Sequence, residues 1–207
     1  MLALVIWVTI GFVSGAIPWS IIVGKLLVGK DVRTVGDGNP GAVNAWKLGG
    51  LIPGVLSTIL EMSKGLVPVY FAFRYLDEPS GITSQVSLSL VAIAPIVGHG
   101  WSPFLRFKGG KTLAATMGSW TAITGGLAFP VACILLGLIH GVQKNHAITV
   151  TIALIGLLVV FLPPDMQLFI ILFWASNLIV VFWKHRTEYS DGIIWRNWVV
   201  KAMRLLS

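Results

Sequence analysis

Long apolar runs free of Asp, Glu, Lys and Arg dominate the chain: residues 1–24, 48–60, 65–73, 79–105, 112–143, 145–164 and 166–183. A helix that crosses a bilayer needs roughly 20 mostly apolar residues, so most of these runs predict one crossing each. The half-runs 48–60 and 65–73, separated by Glu61 and Lys64, read together as one. Run 112–143 is too long for a single upright span at about 1.5 Å per residue and short for two. Gly125, Gly126 and Pro130 offer a turn near its middle. No strand pattern and no internal repeat stands out. Residues 193–206 differ from the spans. On a helical wheel Ile194, Trp195, Trp198, Val199, Ala202, Leu205 and Leu206 share a face, and Arg196, Asn197, Lys201 and Arg204 take the other. That pattern predicts a helix lying in the membrane interface, as opposed to a frayed tail.

Charge placement sets the topology. If 112–143 is two spans, the chain crosses seven times. Lys25, Lys30, Arg33, Lys47, Arg106, Lys108, Lys111, Lys144, Lys184, Arg186, Arg196, Lys201 and Arg204 then share one side, leaving Arg74 opposite and Lys64 inside a span, out of 15 basic residues. A single span would split them evenly. The positive-inside rule therefore predicts an all-α, polytopic membrane protein with seven transmembrane helices, N-terminus outside and C-terminus cytoplasmic. No basic segment precedes the first run, so a cleaved signal peptide is not expected. Residues 1–207 read as one transmembrane domain.

Composition agrees. Apolar residues make up 56% of the 207 and charged residues 11%, against about 25% charged in soluble domains. Mean hydropathy is +0.85. Disordered chains, disulfide scaffolds and soluble α/β enzymes are excluded; the one cysteine, Cys133, permits no internal disulfide. The net charge of +7 reflects topology, and nucleic acid is not expected as a partner.

Polar residues are scarce and cluster in cytoplasmic segments 30–47, 99–111 and 184–191, plus Glu61 and Lys64. Gly36, Gly38 and Gly41 satisfy G-x-G-x-x-G, but no βαβ unit surrounds them, so a dinucleotide fingerprint is rejected. Several glycines can still aim successive backbone N–H groups at one anion, with Asn39, Asn44 and Lys47 as further donors; the alternative is a plain flexible loop. Gly109-Gly110-Lys111-Thr112 resembles the end of a P-loop, but Leu105 stands where that motif needs Gly. What remains is Arg106, Lys108 and Lys111 around two glycines at the start of a helix, a phosphate seat or a topology-setting basic loop. Glu61 and Lys64 share a helical face and read either as a functional pair or as a mutually neutralised one with Lys64 snorkelling. His99, at the head of the same basic loop, and His185, which ends the last span, are the histidines nearest this chemistry. His140 and His146 mark a membrane edge. No His, Cys or carboxylate set has metal-ligand spacing, no His-x4-Asp motif or Ser-His-Asp triad can be assembled, and no cofactor is expected.

Taken in order, the motifs resemble the bacterial acyl-phosphate:glycerol-3-phosphate acyltransferase family, integral membrane enzymes of lipid synthesis. The family pattern Ser-Gly-x-x-Pro appears as Ser14 to Pro18. Gly-Ser-Gly-Asn-x-Gly-Ala-Thr-Asn appears as Gly36 to Asn44, and Asp-x-x-Lys-Gly-x-x-Pro as Glu61 to Pro68. Gly-His-x-x-x-x-Phe-x-x-Phe-Lys-Gly-Gly-Lys-Gly is matched through Gly98, His99, Phe104, Phe107 and Lys108 to Lys111, and a closing His-Arg pair by His185 and Arg186. The chain departs at Asp37 (Ser in the pattern), Val43 (Thr), Lys47 (Arg), Glu61 (Asp) and Thr112 (Gly).

The resemblance implies transfer of a fatty acyl group from acyl-phosphate to the 1-hydroxyl of glycerol 3-phosphate, giving lysophosphatidic acid and phosphate as the first step of phospholipid synthesis in the bacterial inner membrane. Lys111, His99 and His185 are then the catalytic candidates. Gly36, Asp37, Gly38, Asn39, Gly41, Asn44, Lys47, Lys64, Lys108, Gly109 and Gly110 are the candidates for substrate phosphate. The hydroxyl proton could go to a substrate phosphate oxygen, to His99 or to His185. Asp37 is expected to pair with Arg33 or Lys47. The partners are the two substrates and the bilayer, and a monomer is expected. Two alternatives stand beside this reading: a paralogue with another phosphorylated acceptor or no turnover, and a small organic-anion transporter, which the one-sided polar clusters disfavour.

Overall fold

The computed structural model describes residues 1–76, 81–162 and 168–206. The ends of the apolar runs at 79–80, 163–164 and 166–167 lie outside the described residues, as does the side chain of Leu206. The described chain is all-helical, with ten α-helices: α1 Leu2–Ala16, α2 Trp19–Val28, α3 Ala42–Gly49, α4 Leu51–Tyr75, α5 Ile82–Gly100, α6 Leu113–Ile123, α7 Ala128–Val142, α8 His146–Phe161, α9 Leu168–His185 and α10 Asn197–Leu206. By length and composition four segments can cross a membrane: 2–28, 51–75, 82–105 and 168–185. Helices α7 and α8 are apolar but shorter, 15 and 16 residues, or about 22–24 Å at the α-helical rise.

Run 112–143 does divide into two helices. The turn falls on Gly125 (φ 61°) and Gly126 (φ 101°), in the left-handed region that glycine enters freely. Pro130 is not part of that turn. It sits in the first turn of α7, where the missing N–H has no intrahelical partner to lose.

Two prolines shape the rest. Pro18 lies in the break between α1 and α2, at the N-cap of α2. Pro68 lies inside α4 and cannot donate to the carbonyl of Lys64, one turn earlier. The Ser14 hydroxyl on α1 donates to that carbonyl at 3.0 Å, so a neighbouring helix satisfies what the proline leaves open. Helices pack closely where side chains vanish. A Cβ on Gly98 would run into the Phe12 carbonyl of α1, and one on Gly118 into the Met62 carbonyl of α4. Small residues at crossings are the means by which helices associate where water supplies no drive.

The apolar core lies among α4, α5, α6, α7, α8 and α9 around Trp120 and Phe173, whose ring centroids are 5.2 Å apart. Trp120 Nε1 donates to Asn177 Oδ1 at 3.2 Å, and Asn177 Nδ2 to Thr116 Oγ1 at 3.0 Å, so these three side chains pair with one another inside the core. Large apolar side chains such as Ile59, Ile134, Val159 and Ile179 are exposed around the outside, a surface suited to lipid.

The terminal helix begins at Asn197, four residues later than the wheel predicts. Residues 193–196 run extended because their backbone pairs with the end of α7: Lys144 N donates to Ile194 O at 2.8 Å, and Arg196 N to Val142 O at 3.0 Å. Arg196 Nε and Trp198 Nε1 add hydrogen bonds to the carbonyls of His140 and Gly141.

Candidate functional site

At one end of the bundle the 30–47 loop, the turn between α5 and α6, the α7–α8 junction and the segment after α9 converge on a cleft of about 460 Å³. Its lining begins three helices. Gly41, Ala42 and Val43 open α3; Thr112, Leu113 and Ala114 open α6; Asn145 and His146 open α8. Helix N-termini carry partial positive charge and free N–H groups, so their meeting in one cleft makes an anion seat out of backbone. Ala42, Val43, Leu113, Ala114 and Ile194 form an apolar wall beside it.

The glycine loop is shaped around Asn44. Gly36 has φ 62°, and a Cβ there would strike Asn44 Oδ1. Asn44 is buried, and its Nδ2 donates to Asp37 Oδ1 at 3.0 Å and Asn39 O at 2.9 Å. Asp37 does not pair with Arg33 or Lys47. Arg33 is taken by Asp31, two residues away, through contacts of 2.7 and 3.0 Å. Asp37 Oδ2 instead lies 2.6 Å from Lys111 Nζ, across the cleft from the other loop. Lys111 also meets Glu188 Oε1 at 2.5 Å, so two carboxylates hold one lysine.

These charges fix each other. Burial pushes the Asp37 carboxyl up, but Lys111, the Asn39 N–H and Asn44 outweigh it and hold the group at about 2, against an ordinary 3.8. For Glu188 burial again acts upward, and Lys111 and His185 more than offset it. Lys111 is raised: burial lowers it, and Asp37 and Glu188 prevail. A carboxyl with a depressed folded-state value stabilises the fold above its unfolded value and loses that contribution as pH falls through the folded one. The thermal midpoint in detergent should therefore drop as pH falls from about 4 towards 2, and Asp37→Asn should flatten part of that drop. An equal slope in the variant would refute the assignment.

Glu61, Lys64 and His99 form a second, buried cluster. Glu61 is fully buried, with its Oε1 accepting from Ser20 N and Ser20 Oγ, each at 2.9 Å. Its Oε2 lies 2.5 Å from Lys64 Nζ and 3.1 Å from His99 Nδ1, the latter without hydrogen-bond alignment. Lys64 does not snorkel. It is 3% exposed and donates to Ile17 O at 3.1 Å, in the break between α1 and α2.

Of the sequence-derived candidates, Asp37, Asn39, Gly41, Lys47, His99, Lys111 and His185 line the cleft. Gly36, Gly38 and Asn44 shape the loop behind it. Gly109 and Gly110 pack against His99: a Cβ on Gly109 would strike the His99 carbonyl, and one on Gly110 would strike His99 Nε2. Lys64 belongs to the buried cluster, and Lys108 is exposed outside the cleft. Thr112 explains the glycine of the family pattern. It holds φ 69°, a left-handed conformation costly for a β-branched residue and free for glycine.

Several lining residues escape the sequence reading. Glu188 falls within the polar segment 184–191, one helical turn past His185, but nothing in the sequence singles it out from its neighbours there. Asn145 caps α8 and ties the loop after α9 through Nδ2 to Glu188 O (2.8 Å) and Gly192 O (2.9 Å). His146, read as an edge marker, lines the cleft and stacks on His140 at 4.9 Å.

The glycerol-3-phosphate acyltransferase family profile matches residues 5–193. Glycerol-3-phosphate acyltransferase 1 of Thermotoga maritima is 31% identical over 205 residues, covering 90% of this chain and 97% of that one. A glycerol-3-phosphate acyltransferase of Neisseria meningitidis serogroup C is 36% identical over 188 residues, covering 89% and 90%. The fold matches crystal structures of PlsY (YgiH), an integral membrane glycerol 3-phosphate acyltransferase. The glycerol 3-phosphate form gives a TM-score of 0.78 at 23% identity, and the lysophosphatidic acid form 0.76 at 21%, each over 90% of both chains. By its motifs, fold and relatives, this chain belongs to the glycerol-3-phosphate acyltransferase family.

Proposed function

We propose that the chain transfers a fatty acyl group from acyl-phosphate to the 1-hydroxyl of glycerol 3-phosphate, releasing lysophosphatidic acid and inorganic phosphate. The observation that carries this reading is the meeting of three helix N-termini with Lys47 and Lys111 in one cleft, beside an apolar wall. Both substrates bring phosphate to the first feature, and the acyl chain suits the second, at about 0.8 kcal/mol per buried methylene. Acyl-phosphate is already activated, so the site needs to position two anions and absorb developing charge; no covalent intermediate is required. The hydroxyl oxygen attacks the carbonyl carbon, the acyl–phosphate C–O bond breaks, and the phosphate leaves with the proton. Purified protein given acyl-phosphate and glycerol 3-phosphate should release phosphate and lysophosphatidic acid in equal amounts. Acyl-CoA should not replace the donor. Absence of turnover would refute the reading, and equal rates with acyl-CoA would refute the donor.

The same reading takes 1–207 as one seven-span domain of the bacterial inner membrane, N-terminus outside, acting as a monomer, with α10 in the cytoplasmic interface. The supports are the grouping of basic residues and the exposed Trp195, Trp198, Met203 and Leu205 near Arg196 and Lys201. In a Cys133→Ala background, Leu127→Cys should react with an impermeant thiol reagent from outside and Lys144→Cys only from the cytoplasmic side. Labelling of both from one side would overturn the topology.

A further inference from the structure

Among the described residues, Arg106, Phe107 and Thr112 are the non-glycine positions with positive φ. Arg106 and Phe107 are exposed, whereas Thr112 is 0% exposed and lines the cleft. Its carbonyl opens α6 by accepting from Thr116 N at 2.9 Å. A threonine at an N-cap ordinarily sits in extended backbone, and its hydroxyl accepts from an N–H of the first turn. Thr112 instead holds φ 69° and makes no such bond. Its methyl branch packs on the end of α5, since a Cβ on Gly100 would lie 3.1 Å from Thr112 Cγ2. The hydroxyl branch, Oγ1, is buried without a partner among the described residues.

Thr112 therefore costs the fold twice, through a left-handed β-branched residue and through a buried hydroxyl left unpaired. Glycine, which the family pattern has at this place, carries neither cost. Strain of this kind persists where a site uses it. Lys111 precedes Thr112, Leu113 and Ala114 follow it, and all four line the cleft. Because Thr112 does not cap its own helix, its hydroxyl and the first N–H groups of α6 are left for an anion. Position 37 supplies the complement. The pattern has serine there, whose hydroxyl can donate to a phosphate oxygen, and this chain has a carboxylate, which can only accept. The contact of Lys111 Nζ with Asp37 Oδ2, 2.6 Å, brings the two loops together across the cleft. One side has lost a hydroxyl and the other has gained one.

We propose that Thr112 is a phosphate-binding residue of this chain, its hydroxyl donating to an oxygen of a substrate phosphate at the start of α6 in place of the hydroxyl that the pattern carries at position 37. This rests on the acyl-transfer reading above. The contact adds binding and no covalent step.

Full-length wild type, Thr112→Val, Thr112→Ser and Thr112→Gly are compared in detergent, after size-exclusion and thermal melts establish that each is folded. Thr112→Val keeps the shape and the branching and deletes only the donor. It should melt close to wild type and lose roughly 10–100-fold in kcat/KM, mainly through KM. Varying each substrate at saturation of the other shows whether the phosphate is that of glycerol 3-phosphate or of acyl-phosphate. Thr112→Ser should recover most of the loss. Thr112→Gly relaxes the backbone, so it should melt about 2–4 °C higher and still be as impaired as Thr112→Val. A purely structural role would make the glycine variant more stable and no slower. Adding Asp37→Ser to Thr112→Gly rebuilds the pattern's pair and should recover about tenfold or more. A folded Thr112→Val with kcat/KM for both substrates within about threefold of wild type overturns the proposal. A Thr112→Gly that Asp37→Ser does not improve overturns the exchange with position 37. Wild-type protein without turnover overturns the acyl-transfer reading. In that case thermal protection by inorganic phosphate decides about Thr112: weaker protection of Thr112→Val than of wild type supports the phosphate seat, and equal protection overturns it.

Discussion

Lys111→Ala should lower kcat/KM for glycerol 3-phosphate by roughly 10²–10³-fold, the scale on which a single preorganised charge-stabilising group acts. The loss has two parts. The substrate phosphates lose a cation placed at the start of α6, and Asp37 and Glu188 lose the ammonium that both now contact. A carboxylate about 4 Å from a phosphate charge repels it by up to ~4 kcal/mol at an effective dielectric of ~20. That is an upper scale, since Asp37 is 46% exposed and water screens it. Asp37→Ser should accordingly change the activity of the unaltered chain only a few-fold but recover part of the Lys111→Ala loss, because neighbouring groups do not act additively. Initial rates at matched protein concentration decide the matter. Near-normal kinetics for Lys111→Ala would return the segment to a basic loop that sets topology and nothing more.

The second large effect concerns stability. Glu61→Ala leaves the Lys64 ammonium, 3% exposed, with only the Ile17 carbonyl as partner among the described residues. It also strips Ser20 N and Oγ of their acceptor. Removing one member of a buried pair costs about 3–5 kcal/mol, a large fraction of a domain's stability. We expect Glu61→Ala to express poorly and to melt far below wild type in detergent. The double variant Glu61→Leu, Lys64→Met removes both charges and keeps most of the volume, and should recover much of the loss, since apolar replacement of a whole buried pair is often neutral. A Glu61→Ala protein that melts with wild type would mean that the cluster adds nothing to folding.

The periodicity of the chain makes its class plain. Runs of apolar residues and the sidedness of Lys and Arg are one-dimensional signals, and an all-helical bundle with a split at Gly125-Gly126 follows from them. The site is only half legible. Asn39, Gly41 and Lys111 stand in motifs whose backbone chemistry can be read directly. The Lys111–Asp37 pair spans 74 residues, and nothing local distinguishes it from Asp37 with Arg33 or Lys47. Asp31 is the reason Arg33 is unavailable, a competition that charge counting does not reveal. Glu188 and Asn145 look like ordinary loop residues until the chain folds. The start of α10 is misplaced by the wheel because main-chain pairing with Val142 and Lys144, which has no sequence pattern, overrides the amphipathic signal at 193–196.

Three helix N-termini at one cleft have a consequence for how this catalyst can drift. Attraction that resides in peptide dipoles carries no proton to lose and no side chain to delete, so the anion seat survives substitutions that would disarm a cluster of lysines. A scan by alanine would leave it in place and understate it. Chain copies can then exchange hydroxyl for carboxylate at position 37, or threonine for valine at position 43, while the helix ends go on presenting the same field to phosphate. Relatives at 31% and 36% identity are what such a tolerance permits, with Lys111 as the side chain that stands outside it.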